Sequence, residues 1–160
     1  MGLDMYLYAD KHVSRKDYSR KNGDYDYATN EAFQTIVSTL GAESLIDNEW
    51  SGMVVSLPIG YWRKANAIHN WIVKNCADGV DECQRIYISK DKAIELVGLC
   101  KQVIAMPRLA GELLPPQSGF FFGSTDIDEY YFDDLKRTVQ IFEKALSQPD
   151  IDQVTYEASW

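Results

Sequence analysis

Residues 3–9, LDMYLYA, alternate Leu3, Met5 and Leu7 with Asp4, Tyr6 and Tyr8. That period of two gives a β-strand with one apolar face. Near the other end of the sequence, Val154-Thr155-Tyr156 is a second β-prone run. Two terminal strands can pair with each other or lie close in one sheet, which ties down both ends. Between them, helical and extended patterns are mixed without strict βαβ alternation. The predicted class is therefore α+β: a small, mainly antiparallel sheet with about four helices packed on it and both terminal strands in the sheet.

Working inward, Phe33, Ile36, Val37 and Leu40 recur at helical spacing, with Thr29 placed to cap a helix over 29–40 and Gly41 to end it. Met53 to Leu57 reads as a strand punctuated by Pro58 and Gly60. The next stretch, YWRKANAIHNW over 61–71, reads as the start of a helix that ends near Gly79. Arg85 to Ile88 is a short strand. Ser89 caps a helix over 90–105 whose apolar face is Ala93, Leu96, Val97, Cys100, Val103 and Ile104. Pro107, Pro115 and Pro116 bend the chain, and Phe120-Phe121-Phe122 reads as a short aromatic strand. A long helix over 128–147 follows, stopped by Pro149. Residues 10–28 are polar, contain Asn22-Gly23, and read as a long loop.

With 160 residues, 46% of them hydrophobic and 25% charged, the chain is the size of one globular domain spanning 1–160. Its formal net charge is −8, and residues 111–160 hold ten Asp/Glu against three Lys/Arg. Such acidity gives no general attraction to nucleic acid or anionic membrane, and favours basic partners or simple solubility. Cys76, Cys83 and Cys100 form no CxxC pair and no metal-ligand spacing, so no metal site is expected. Two of them fall in apolar helical patterns, like small buried hydrophobes, which fits a reducing cytoplasm. The N-terminus lacks a basic segment followed by a long apolar run, and Tyr6 stands where a myristoylation signal needs Ser or Thr. No run approaches the 18 apolar residues of a membrane span.

Three stretches carry candidate chemistry. Read as a helix, YWRKANAIHNW puts Tyr61, Ala65, Ile68, Ile72 and Cys76 on a core stripe and Trp62, Asn66, His69 and Val73 beside it, with Arg63 on the next stripe. Trp62, Arg63, Asn66 and His69, with Phe121, then form a patch suited to an anionic or planar ligand. The plainer reading makes Asn66 and His69 partners of buried backbone groups at the core edge. The second stretch, GFFFGSTDIDEYYFDD over 119–134, puts acids at 126, 128, 129, 133 and 134. Asp126, Asp128, Asp133 and Asp134 suit a basic protein partner, and also suit the first turns of a helix, where the dipole favours acids. The third stretch, 11–27, interleaves Lys/Arg with Tyr as single-strand nucleic-acid binders do, but Asp10, Asp17, Asp24 and Asp26 bring its charge near zero. A solvated loop is the simpler reading there. Catalytic motifs are thin: two His, no GxSxG, no HExxH and no GxGxxG.

The start MGLDMYLY, the central YWRKANAIHNW, the block GFFFGSTDIDEYYFDDL and the closing VTYEASW resemble a family of small uncharacterised proteins from bacteriophages and prophages. The resemblance spans nearly the whole chain. It implies a genetic setting, inside an infected or lysogenic cell, and carries no activity, cofactor or catalytic residue. In that setting a non-catalytic accessory protein is expected. It would bind a host protein through its acidic C-terminal third, or sequester a small anionic or nucleotide ligand at Trp62, Arg63, Asn66 and His69. An enzyme acting on a nucleotide-like substrate at the same residues is the alternative. The ten Tyr and four Trp on so short a chain point to a homo-oligomer.

Overall fold

The computed structural model describes residues 2–23, 27–47 and 52–160. It shows an α+β protein whose contacts divide it into two compact units, Met1–Asp10 with Leu57–Trp160, and Lys11–Ser56.

The larger unit holds most of a four-stranded antiparallel sheet. The sheet's strands are β1 (Asp4–Ser14), β4 (Gly52–Arg63), β5 (Ile86–Ile88) and β6 (Gln153–Ser159), in the order β4-β1-β6-β5. The terminal strands do pair. β1 and β6 run antiparallel from Asp4 opposite Ser159 to Asp10 opposite Gln153. Their alternation resolves as read: Leu3, Met5, Leu7 and Tyr156 are fully buried on one face. Buried Asp10 accepts from Thr155 Oγ1 at 2.8 Å, so the charge is not stranded inside.

Helices α2 (Asn66–Cys76), α3 (Lys90–Ala105) and α5 (Glu129–Leu146) pack with one another, and α2 also packs on β5. α3 begins at Ser89, whose hydroxyl accepts from Lys92 N, and buries Ala93, Leu96, Val97, Cys100 and Val103 at the expected spacing. α5 begins one residue after Asp128, whose side chain caps it by accepting from Tyr131 N. Each fully buried Leu or Phe of this layer contributes about 2 kcal/mol of apolar transfer. The short helix α4 (Ala110–Leu113) follows a 3₁₀ turn at Pro107–Leu109. Residues 120–122 form a turn and not the expected strand. Burial pushes the Cys100 thiol up to about 12, so it behaves as the inert apolar group its position suggests.

The largest correction concerns residues 58–65. Pro58 and Gly60 were expected to end a strand and the helix to open at 61, and instead β4 runs on through Pro58 and Gly60 to Arg63. β4 is an edge strand, where a proline's missing N–H costs no ladder bond. Gly60 is where the sheet meets α5: a Cβ there would fall 2.8 Å from Ile141 Cγ2 and 3.2 Å from Leu7 Cβ. Both supposed breakers have sheet-specific reasons to be in a strand. The period therefore stays at two up to Arg63, so Tyr61 is exposed and Trp62 is buried, the reverse of the helical assignment.

In the smaller unit, β2 (Lys16–Lys21) and β3 (Tyr27–Thr29) pair antiparallel with an irregular register. Part of the predicted loop is thus extended, and Tyr18 and Tyr27 meet edge to face at 5.1 Å. α1 (Glu31–Leu40) is capped by the Asn30 side chain, not Thr29, and closes on left-handed Gly41. Phe33 and Val37 are its buried residues. No helix among the described residues is long and apolar enough to cross a membrane.

Candidate functional site

The strand-to-helix junction between β4 and α2 sets the geometry. Lys64 adopts φ +63°, a left-handed conformation that costs a residue with a Cβ about 1–2 kcal/mol. Its N–H donates to Leu3 O at 2.8 Å, and its carbonyl accepts from Asn66 N at 2.7 Å. Two glycines make room for its aliphatic stem. A Cβ on Gly123 would lie 3.0 Å from Lys64 Cδ, and one on Gly2 would lie 3.2 Å from Lys64 Cε. The junction delivers Arg63 and Lys64 to the N-terminus of α2. Ala65, at the cap position, has no side chain to bond the first-turn amides. His69 N reaches Ala65 O, while the amides of Ala67 and Ile68 belong to the turn whose donors a helix leaves open.

Beside this terminus lies a cavity of about 240 Å³. Arg63, Lys64 and Asn66 line it from the junction, Ser124 and Asp126 from the following loop, and Asp128, Tyr130 and Asp134 from the start of α5. The two sequence blocks singled out separately, YWRKANAIHNW and the acidic 119–134 segment, thus meet at one site.

The acids divide by occupation. Asp126 accepts from Ser124 Oγ at 2.7 Å, and Asp128 caps α5 through Tyr131 N at 3.1 Å. Asp133 is exposed, pairs with Lys136 at 2.8 Å and does not line the cavity. Asp134 is half-buried and its carboxylate makes no hydrogen bond or ion pair among the described residues. Its neighbour Arg137 donates to Tyr61 O instead, at 2.7 Å. Burial pushes the Asp134 carboxyl up to about 6, against the opposing pull of Arg137 and with help from Asp133 and Asp128. On the junction side, Arg63 and Lys64 likewise make no ion pair among the described residues.

The rest of the expected ligand-binding patch is placed elsewhere. Trp62 points into the core, its indole N–H donating to Thr138 Oγ1 at 3.0 Å and its ring 6.3 Å from Phe142. His69 is fully buried between two partners, with Nδ1 2.7 Å from the Tyr156 hydroxyl and Nε2 2.9 Å from Asp81 Oδ2. A carboxylate only accepts, so Nε2 carries a proton and donates to Asp81, while Nδ1 and the Tyr156 hydroxyl share the second hydrogen bond. Burial raises the Tyr156 phenol well above its ordinary range, which keeps that hydroxyl protonated. Phe121 is partly buried beside Phe120 and does not line the cavity. Trp62 and His69 were aligned with Arg63 by assuming one continuous helix, and the strand up to Arg63 removes that alignment. Asn66 lines the cavity, yet all three of its side-chain hydrogen bonds go to the loop: Nδ2 to Phe122 O and Ser124 O, and Oδ1 from Gln117 N. It therefore holds the wall in shape.

Lys64, Ser124 and Tyr130 are among the lining residues that the sequence did not select. Continued alternation of Ile59, Tyr61 and Arg63 was the available signal for Lys64. Tyr130 is 72% exposed at the rim, and nothing in its spacing distinguished it. Among the described residues no group of three His, Cys, Asp or Glu is arranged to hold a metal ion. No family model, curated protein or solved structure matches this chain.

Proposed function

We propose that the protein is a non-catalytic binding protein that holds a small anionic ligand, of the nucleotide or phosphorylated-metabolite class, in the cavity beside the α2 N-terminus. The observation that carries this is the pairing of two cations without ion-pair partners, Arg63 and Lys64, with an uncapped helix N-terminus on one cavity. Guanidinium, ammonium and first-turn amides all favour an oxyanion. The cavity is below the usual 300–1,000 Å³ range of drug-sized ligands, so it suits a small ligand or the anionic end of a larger one. Tyr130 at the rim offers a ring for a base or sugar to pack on. In the phage setting that the sequence resembles, sequestering such a ligand inside the host cell would interfere with a host function. Capture of a basic host protein by the acidic segment is less favoured, because Asp126 and Asp128 are already engaged within their own loop and cap.

A second reading rests on Asp134. A half-buried carboxyl titrating near 6 in a cleft has the properties of a general acid–base, so an enzyme acting on a nucleotide-like substrate is the alternative.

A thermal-shift screen against cyclic nucleotides, NAD-derived molecules and common nucleotides tests both readings. The binding reading expects a rise in melting temperature that Arg63→Ala abolishes, with the ligand recovered intact. Recovery of a converted ligand favours the enzyme. A rise that Arg63→Ala leaves untouched, or no rise with any anion, removes the cavity as the site.

A further inference from the structure

We infer that the ligand carries a positively charged or N–H donor group in addition to its anionic group, and that Asp134 is the residue that selects it. The inference rests on the anion-site reading above and adds the chemistry of the other end of the ligand.

The argument begins with which charges in the cavity are satisfied. Asp126 and Asp128 have intramolecular donors, from Ser124 and from the first turn of α5. Asp134 has none: Arg137, whose charge acts on it, donates its Nε–H to the Tyr61 carbonyl instead. Its own backbone carbonyl accepts from Thr138 Oγ1 at 2.7 Å, and Thr138 in turn accepts from Trp62. This chain of bonds from the core fixes the second turn of α5, so Asp134 is anchored at its backbone while its carboxylate is left open. Water reaches the exposed side of this carboxylate, and on the buried side no protein donor offsets its desolvation, so a ligand donor placed there would be favoured.

The cations do not supply it. Arg63 and Lys64 line the same cavity yet form no ion pair with Asp134. Lys64 is held by its left-handed backbone and by its stem between Gly2 and Gly123. The cavity therefore keeps separated charges of both signs. A plain anion would satisfy the junction side and leave Asp134 facing a like charge. An anion bearing an amine, amidine or similar donor satisfies both sides.

The test uses two phosphates that differ in one group: 2-aminoethyl phosphate and 2-hydroxyethyl phosphate, with inorganic phosphate as reference. Affinities of the whole protein are measured by NMR titration at pH 7.5, where Asp134 is mostly ionised. The amine-bearing phosphate is expected to bind about tenfold tighter than the hydroxyl analogue. Asp134→Asn should erase that preference and keep the binding of inorganic phosphate, while Arg63→Ala should weaken all three probes together. Equal affinity of the two organic phosphates for the wild-type protein overturns the inference and leaves the anion site standing. A preference that survives Asp134→Asn also overturns it. Absence of binding by all three phosphates removes the anion-site reading itself, and this inference with it.

Discussion

Two polar clusters grow from one eleven-residue stretch, and they differ in whether the protein satisfies them. In the first, Trp62 and His69 are buried and every polar atom has a partner: Thr138 for the indole, and Tyr156 and Asp81 for the imidazole. In the second, Arg63, Lys64 and Asp134 face a cavity and their charges are left unpaired among the described residues. Residue type does not separate the clusters, since a Trp–His pair looks more like a binding site than an Arg–Lys pair beside acids. Saturation separates them. A closed hydrogen-bond network stabilises the fold, whereas an open one is available to a ligand.

The sharpest way to break this contrast is His69→Ala. It leaves Tyr156 without its hydrogen-bond partner and Asp81 without its donor, and opens a void in the core. A loss of about 3–4 kcal/mol is expected, seen as a fall of roughly 10 °C in melting temperature. A variant that melts like the wild type would mean the network is not structural. Asn66→Ala comes next. It strands the Phe122 and Ser124 carbonyls and the Gln117 amide, at a cost of about 2–3 kcal/mol in urea unfolding, and loosens the cavity wall.

The open cluster should respond in the opposite way. Arg63→Ala is expected to leave stability within about 0.5 kcal/mol and to weaken anion binding about tenfold, measured by calorimetry. Asp134→Asn should slightly stabilise the protein. The folded carboxyl holds its proton up to about pH 6, whereas an unfolded aspartate releases it near 3.8. Between those values the folded state binds more protons, so stability falls as pH rises through the window, and the penalty is complete above about 6. Discounted for the solvent on its exposed side, the penalty is about 1 kcal/mol, and Asn should recover it at pH 7.5 and flatten the slope between pH 4 and 6. An unchanged slope would show that Asp134 is not the titrating group.

These contrasts also mark how far the sequence could be read. The terminal strands were legible because Leu3, Met5 and Leu7 face a core on one side only, which writes a clean period of two. α3 was legible to the residue because Ser89 and its apolar spacing agree. The β4–α2 junction was not, because Pro58 and Gly60 act there through edge position and close packing, which are properties of neighbours distant in sequence. That misreading moved Trp62 and His69 into the expected site. Arg63, Asn66 and the acids at 126, 128 and 134 were found, but as two separate features. Their meeting at one cavity depends on the loop that Asn66 holds, a tertiary bond across more than fifty residues.

The central claim is that the cavity beside α2 is an anion site. A ¹⁵N-resolved NMR titration of the intact protein with inorganic phosphate tests it most directly. Saturable shifts should concentrate on the amides of Lys64, Ala67 and Ile68, on Ser124 to Asp128, and on Asp134, while Tyr156 and Asp81 stay still. Shifts that fail to saturate, or that gather away from these residues, would contradict it.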